Sequence, residues 1–247
     1  MRLDQELVRR KLCESRQEAQ ECLERGYILV EGVIVTKKTK QVSEDSLITI
    51  TKNRSFVSRG GEKLEGVLMA VYKNKETIRK KLLCKTAIDV GSSTGGFTDC
   101  LLSYGIREVT AVDVGTAQLH TKLRNSSQVI LFENTDIRNF KTTKLFNIIV
   151  VDLSFISLTK VVDTILSLGK SNSEYFLLIK PQFEVGFGNT KKGIVKDIKL
   201  VEAVISNYKS LLTEKQLQEV KIFPCTITGG DGNQEYFLYG KLEPISK

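Results

Sequence analysis

Four short apolar runs dominate the chain after residue 85, and each closes on or beside a charged residue: Ala87-Ile88-Asp89-Val90, Val109-Thr110-Ala111-Val112-Asp113, Ile148-Ile149-Val150-Val151-Asp152 and Phe176-Leu177-Leu178-Ile179-Lys180. Runs this short and this continuously apolar fit strands buried on both faces. Between and after them, Leu158, Val161, Val162, Ile165 and Leu166, then Val201, Val204, Ile205, Tyr208, Leu211 and Leu212, recur at helical spacing. Strands alternating with helices predict a parallel α/β sheet covered on both sides. Two last runs, around Lys221 to Pro224 and Glu235 to Gly240, lie close enough in sequence to pair antiparallel.

The front of the chain reads differently. Leu3, Leu7, Val8 and Leu12 mark one helix, and Ser15 with Glu18 gives a capping-box start to a second that carries Ala19, Cys22 and Leu23 and ends at Gly26. Tyr27 to Val30 and Val33 to Thr36 flank Glu31-Gly32 as two strands about a tight turn, and Leu47 to Ile50 reads as a third. The expected organisation is a small α+β domain over 1–51, a polar linker over 52–59, and the α/β domain over 60–247.

Composition narrows the function classes. No apolar run approaches the roughly 20 residues that span a bilayer, and the N-terminus Met1-Arg2-Leu3-Asp4-Gln5-Glu6 is charged, so a cytoplasmic protein with no membrane partner is expected. The five cysteines are scattered without a C-x-x-C pair and His120 is the single histidine, so zinc sites and thiol–imidazole catalysis lack their groups and no metal is expected. A net charge of +8 favours a polyanionic partner, although charge alone is a weak argument.

Ligands of open parallel sheets sit at the carboxyl ends of the strands. The first strand ends in Asp89-Val90-Gly91-Ser92-Ser93-Thr94-Gly95-Gly96-Phe97, a glycine-rich turn where backbone can approach a ligand. It is not G-x-G-x-x-G, which disfavours a nicotinamide cofactor; D-x-G-x-x-x-G-G resembles the form found in methyltransferases that bind S-adenosylmethionine. Asp113 closes the second strand, where a carboxylate can accept bonds from both ribose hydroxyls of such a cofactor. Asp136 follows the third apolar run, Val129 to Phe132, where an adenine amine can be held. Either residue also fits a turn or cap. Lys180, closing a buried strand, needs a carboxylate partner, and Asp152 and Glu235 are the candidates; a structural salt bridge explains that much equally well.

Two resemblances add to this reading. R-L-D-x-x-L-V-x-R, S-R-x-x-A-Q, G-Y-I-L-V-E-G and V-x-x-D-S-L-I in the front domain are similar to the S4-type RNA-binding module. That implies an RNA-facing set of Arg9, Arg10, Lys11, Arg16, Arg25, Lys37 and Lys38, with Lys40 nearby. S-R-G-G-E-K-L at 58–64, D-V-G-S-S-T-G-G-F-T-D at 89–99, V-V-D-L-S-F-I-S-L at 150–158, K-P-Q-F-E at 180–184 and G-N-Q-E-Y-F-L at 232–238 resemble the TlyA (haemolysin A-like) family of ribosomal RNA methyltransferases, which joins that module to an FtsJ-like Rossmann-type domain.

The family resemblance implies methyl transfer from S-adenosylmethionine to a ribose 2′-hydroxyl of ribosomal RNA, on a cytidine. It also implies a catalytic tetrad of Lys63, Asp152, Lys180 and Glu235, with the cofactor held by Asp89, the 91–97 turn, Asp113, Asp136 and Asp152. Lys180 would either take the hydroxyl proton, with Lys63 as neighbouring cation, or stay charged and orient the hydroxyl. The chain departs from the family pattern at Thr121 and at Gly229-Gly230-Asp231. Base methylation is disfavoured, because the segment after the fourth strand reads Asp152-Leu153-Ser154-Phe155 rather than the N-P-P-Y type of amine-targeting enzymes. A non-catalytic RNA-binding or ribosome-assembly protein is the alternative, and lysis, suggested by the family's older name, lacks an apolar segment to carry it.

Overall fold

The computed structural model describes residues 1–24, 26–51, 56–186 and 188–243, and the chain divides into two compact units, Met1–Ser55 and Phe56–Lys247. Residues 52–55 of the expected linker lie outside the described residues, as does Arg25.

The first unit holds α1 (Leu3–Arg9), α2 (Arg16–Glu24), β1 (Ile28–Val30), β2 (Val33–Ile34) and β3 (Ile48–Ile50). The strands form one antiparallel sheet in the order β2-β1-β3, with Glu31 and Gly32 both at positive φ in the hairpin turn. Leu3, Leu7, Ala19, Leu23 and Ile28 close its core. Helical spacing placed Leu12 on the first helix; α1 instead stops at Arg9, and Leu12 is 37% exposed beyond it. Ser15 Oγ accepts from Glu18 N (3.1 Å), as the capping box requires, while the Glu18 carboxylate reaches Glu14 N (2.7 Å).

The first unit also buries two acids. Asp4 accepts from Arg2, Arg16 and Gln20, and Glu6 accepts from Arg9 and Arg10. Burial pushes the Asp4 carboxyl up, but the bonds from Gln20, Arg2 and Arg16 prevail and hold it at about 2. Arg9, then Arg10, hold Glu6 at about 2.

The second unit is built from α3 (Arg59–Tyr72), α4 (Lys75–Leu82), β4 (Thr86–Val90), α5 (Gly96–Ser103), β5 (Glu108–Val112), α6 (Thr121–Arg124), β6 (Val129–Phe132), β7 (Phe146–Val151), α7 (Val162–Ser167), β8 (Gly169–Ile179), α8 (Ile198–Glu214), β9 (Leu217–Pro224) and β10 (Tyr236–Leu242). They form a seven-stranded sheet in the order β6-β5-β4-β7-β8-β10-β9. β6 to β8 pair in parallel, and β10 runs antiparallel to both β8 and β9, as the last two apolar runs implied. Apolar clusters cover both faces, one around Leu64, Phe97, Phe176 and Phe237, the other around Ile149, Ile165, Tyr175 and Leu212. The apolar runs of the inner strands are therefore buried from both sides, while the edge strands β6, with Ile130 and Phe132, and β9 are partly exposed.

The chain leaves β4 toward β5 and β6 on one side and returns to β7 on the other. The order therefore reverses between β4 and β7, the position where such sheets open a crevice at their carboxyl ends.

Candidate active site

Val90 pairs with Val151, so the loops after β4 and β7 emerge side by side. Gly91 sits at φ +81, and a Cβ there would lie 2.3 Å from the Asp152 carbonyl oxygen, so only glycine lets these loops meet. Above them opens a cleft of about 420 Å³, lined by Gly91, Ser93, Asp113, Asp136 and Asp152 among the expected residues.

Asp113 Oδ2 accepts from Ser93 N and Oδ1 from Gly115 N, both at 2.7 Å, tying the end of β5 to the glycine-rich turn. Asp136 accepts from Arg138 side chain and backbone, which holds its carboxyl at about 2. Asp89 is buried beneath the turn, where Oδ2 accepts from Thr98 N (3.0 Å) and Thr98 Oγ1 (2.7 Å). Burial pushes Asp89 up to about 7, with Asp152 and Asp113 adding to the rise against the Thr98 bonds. Among the described residues, Asp89 Oδ1 and Ser92 Oγ are buried without a hydrogen-bond partner. Two unsatisfied polar atoms under a glycine-rich turn fit a polar ligand laid against that turn.

Three expected cofactor residues stand elsewhere. Phe97 is 3% exposed and packs on Phe237 at 5.7 Å, so its ring belongs to the core. A Cβ on Gly96 would meet Ser58 Oγ and Gly61 N, so that glycine admits the start of α3. A Cβ on Gly95 would strike Leu123 and Leu119, and φ is +93 there, so glycine is needed for that packing. Thr94 contributes its carbonyl to His120 N (3.2 Å).

The four tetrad residues form two ion pairs. Lys180, just past β8, lies 2.5 Å from Asp152 Oδ1, just past β7, and donates to Ser154 Oγ (2.8 Å). Lys63 on α3 pairs with Glu235 in a buried contact. Tyr236 faces Ile179 in the β8–β10 ladder, so Glu235 arrives at the same sheet end as Lys180. Cys225 reads the neighbourhood from one side: its thiol is pushed up to about 12 by burial, and the charges of Lys63, Glu235 and Asp152 all act on it. Glu184 braces the loops, accepting from Leu158 N (3.1 Å) and from Tyr208 on α8 (2.6 Å).

Sequence reasoning passed over Val114, Ile137, Leu153 and Ile156, which line the cleft. Three of them directly follow the acids Asp113, Asp136 and Asp152, a regularity that could have found them. It also passed over Phe155, which is 90% exposed at φ +64 with its ring 5.0 Å from that of Phe183. An exposed aromatic in left-handed backbone is uncommon.

Residues 56–242 match the family model of FtsJ-like methyltransferases, and residues 1–48 match the S4 domain. The chain is 37% identical to Hemolysin A of Brachyspira hyodysenteriae, over 97% of this chain and 99% of that one. It is 35% identical to the 16S/23S rRNA (cytidine-2'-O)-methyltransferase TlyA of Mycobacterium tuberculosis (strain ATCC 25618 / H37Rv), over 96% and 88%. The solved structure of a Streptococcus thermophilus protein provisionally called a hemolysin superposes with a TM-score of 0.75 at 29% identity, covering 98% of this chain and 88% of that one. The chain belongs to the FtsJ-like methyltransferases, in the TlyA (haemolysin A-like) family that carries an S4 domain ahead of the methyltransferase domain.

Proposed function

We propose that this protein methylates the 2′-hydroxyl of a cytidine ribose in ribosomal RNA, using S-adenosylmethionine, in the cytoplasm where ribosomes are made. The observation that carries the reading is the Asp152–Lys180 pair on the loops that flank the cleft. Similarity to relatives named as rRNA (cytidine-2'-O)-methyltransferases supports the substrate.

The cleft suits the cofactor. Gly91 and Ser93 offer backbone, Asp113 and Asp136 offer acceptors for ribose and adenine, and Asp89 Oδ1 and Ser92 Oγ have unused hydrogen-bonding capacity. When bound, the sulfonium supplies an electrophilic methyl carbon. The chain's own residues then have to align the ribose hydroxyl and stabilise the charge that grows on its oxygen. An ammonium has three N–H donors. Lys180 gives one to Ser154 and stands against the Asp152 carboxylate as an ion pair, which leaves donor capacity for the substrate oxygen. That inventory favours Lys180 as the group that orients the hydroxyl. Lys63 and Glu235 brace the same end of the sheet as a buried pair.

Phe155 offers a stacking face for the base of the target nucleotide, which must leave its neighbours for the ribose to reach the cleft. The front unit supplies RNA affinity, with the exposed Lys11, Lys37 and Lys38 as phosphate contacts. Among the described residues no helix is long and apolar enough to cross a membrane. The test is incubation of purified ribosomal subunits with labelled S-adenosylmethionine and mapping of the label: ribose methylation at a cytidine is expected, and label on a base or on no RNA overturns the reading.

A further inference from the structure

Between β8 and α8 the catalytic unit carries positive charge that the centre described above does not use. Residues 189–199 hold Lys191, Lys192, Lys196 and Lys199 against one acid, Asp197, and Asp197 is engaged in capping α8 through Lys199 N (2.9 Å). Lys191, Lys192 and Lys196 are exposed, and among the described residues none forms an ion pair. Neighbouring like charges repel and are relieved by a polyanion.

This charge is not on a loose loop. Lys191 and Ile194 exchange backbone hydrogen bonds (2.9 and 3.1 Å) about Lys192 and Gly193, both in left-handed backbone, which makes a tight hairpin. Asn233, 3% exposed, accepts from Val195 N (3.0 Å) and donates to Gly193 O (2.9 Å). The two bonds fix the orientation of its amide, since only the oxygen can take the N–H and only the nitrogen can serve the carbonyl. Asn233 stands two residues before Glu235, and between them the Gln234 side chain donates to the carbonyls of Glu235 (2.9 Å) and Cys225 (3.0 Å). The lysine hairpin is thus fastened to the stretch of chain that delivers Glu235 to Lys63.

We propose that Lys191, Lys192 and Lys196 form an arm of the catalytic unit that grips RNA phosphates flanking the target nucleotide, with Asn233 as its positioning residue. The proposal rests on the methyltransferase reading above. Lysines are point charges suited to phosphate contact without base readout. A strand whose ribose reaches Lys180 continues on both sides of that nucleotide, and the arm is anchored beside the same end of the sheet. The arm accounts for strand placement, and the front unit for separate affinity.

The test uses the full chain with Lys191→Gln, Lys192→Gln and Lys196→Gln combined. It measures binding of a mixed-sequence single-stranded RNA across a salt series, S-adenosylmethionine binding by calorimetry, and methylation of ribosomal subunits. Each lost single-strand contact removes about 0.7 from the slope of log K against log salt, so a decrease of about 2 is expected. KM for the subunits should rise about tenfold while kcat and cofactor affinity stay within about twofold, the signature of lost binding common to ground and transition states. Asn233→Ala should move KM in the same direction without removing a charge, and if that variant does not fold the lysine variant decides alone. An unchanged salt slope and KM in the lysine variant, with methylation intact, overturn the arm and leave the activity standing. A lysine-dependent salt slope in a parent that methylates no RNA overturns the activity and leaves the arm standing.

Discussion

Lys63 and Glu235, 172 positions apart in sequence, form an ion pair whose side chains are 9% and 3% exposed. Breaking a buried pair by removing one partner strands the other charge and costs about 3–5 kcal/mol, whereas replacing both by apolar groups is often neutral. Lys63→Met or Glu235→Leu alone should therefore lower the melting temperature of the enzyme as well as abolish methyl transfer. The double variant should regain most of the stability and none of the activity. Thermal denaturation beside a methylation assay checks this, and single variants as stable as the parent would contradict it.

Asp89 gives a pH signature. Its carboxyl is raised from 3.8 to about 7 in the folded protein, so between those values the folded state holds a proton that the unfolded state has released. Stability contributed at this site is present at low pH and is lost as pH rises through about 7. Asp89→Asn, which can still accept from Thr98, should melt higher than the parent at about pH 8 and close to it at about pH 4 in the cofactor-free protein. It should also bind S-adenosylmethionine less tightly. Parallel melting curves across that range would remove Asp89 from this account.

In the front unit, two of the arginines expected to face RNA are also tied to the unit's own acids and carbonyls. Arg10 donates to Glu6 (2.7 Å) and to the carbonyls of Ser43, Glu44 and Ser46, and Arg16 is tied to the buried Asp4 (3.1 Å). Arg10→Glu and Arg16→Glu should thus destabilise this unit. The depressed carboxyls of Asp4 and Glu6 contribute stability above their ordinary values of 3.8 and 4.5, and it is lost as pH falls toward about 2. Lys11→Glu, Lys37→Glu and Lys38→Glu should leave melting unchanged and weaken RNA binding. If the lysine set has no effect on RNA affinity while the folded unit is retained, the RNA face lies elsewhere.

Phe155→Ala should leave cofactor affinity intact and slow RNA methylation, since base–aromatic stacking is worth about 1–3 kcal/mol per base. Phe155→Trp should restore most of the rate. Equal rates for Phe155→Ala and the parent would assign the ring to another purpose.

Much of the catalytic unit was legible because a parallel sheet imposes two rules that sequence displays directly: apolar runs for strands buried on both faces, and polar residues where strands end toward the ligand. Asp89, Asp113, Asp152 and Lys180 stand at or just past the carboxyl ends of β4, β5, β7 and β8, where that rule puts them. What sequence does not display is the direction of a side chain at a helix start or the partner of a distant charge. Phe97 follows six turn residues yet points into the core, and nothing local distinguishes it from a cofactor contact. The pairing of Lys63 with Glu235 is set by the packing of α3 and by the register of β10, neither of which short-range pattern encodes. Leu12 fell off its helix because periodicity carries no stop signal there.

The central claim is that Lys180, held by Asp152 and Ser154, presents a ribose hydroxyl for methylation. The measurement that tests it most directly is nucleotide-resolution mapping of ribose methylation on ribosomal subunits treated with the parent and with Lys180→Ala, alongside calorimetry with S-adenosylmethionine. The parent should methylate the 2′-oxygen of a cytidine. Lys180→Ala should lose at least about a hundredfold in rate, as expected for removal of a transition-state donor, while binding the cofactor within several-fold of the parent. A folded Lys180→Ala protein that methylates the same ribose at near-parent rate would contradict the account.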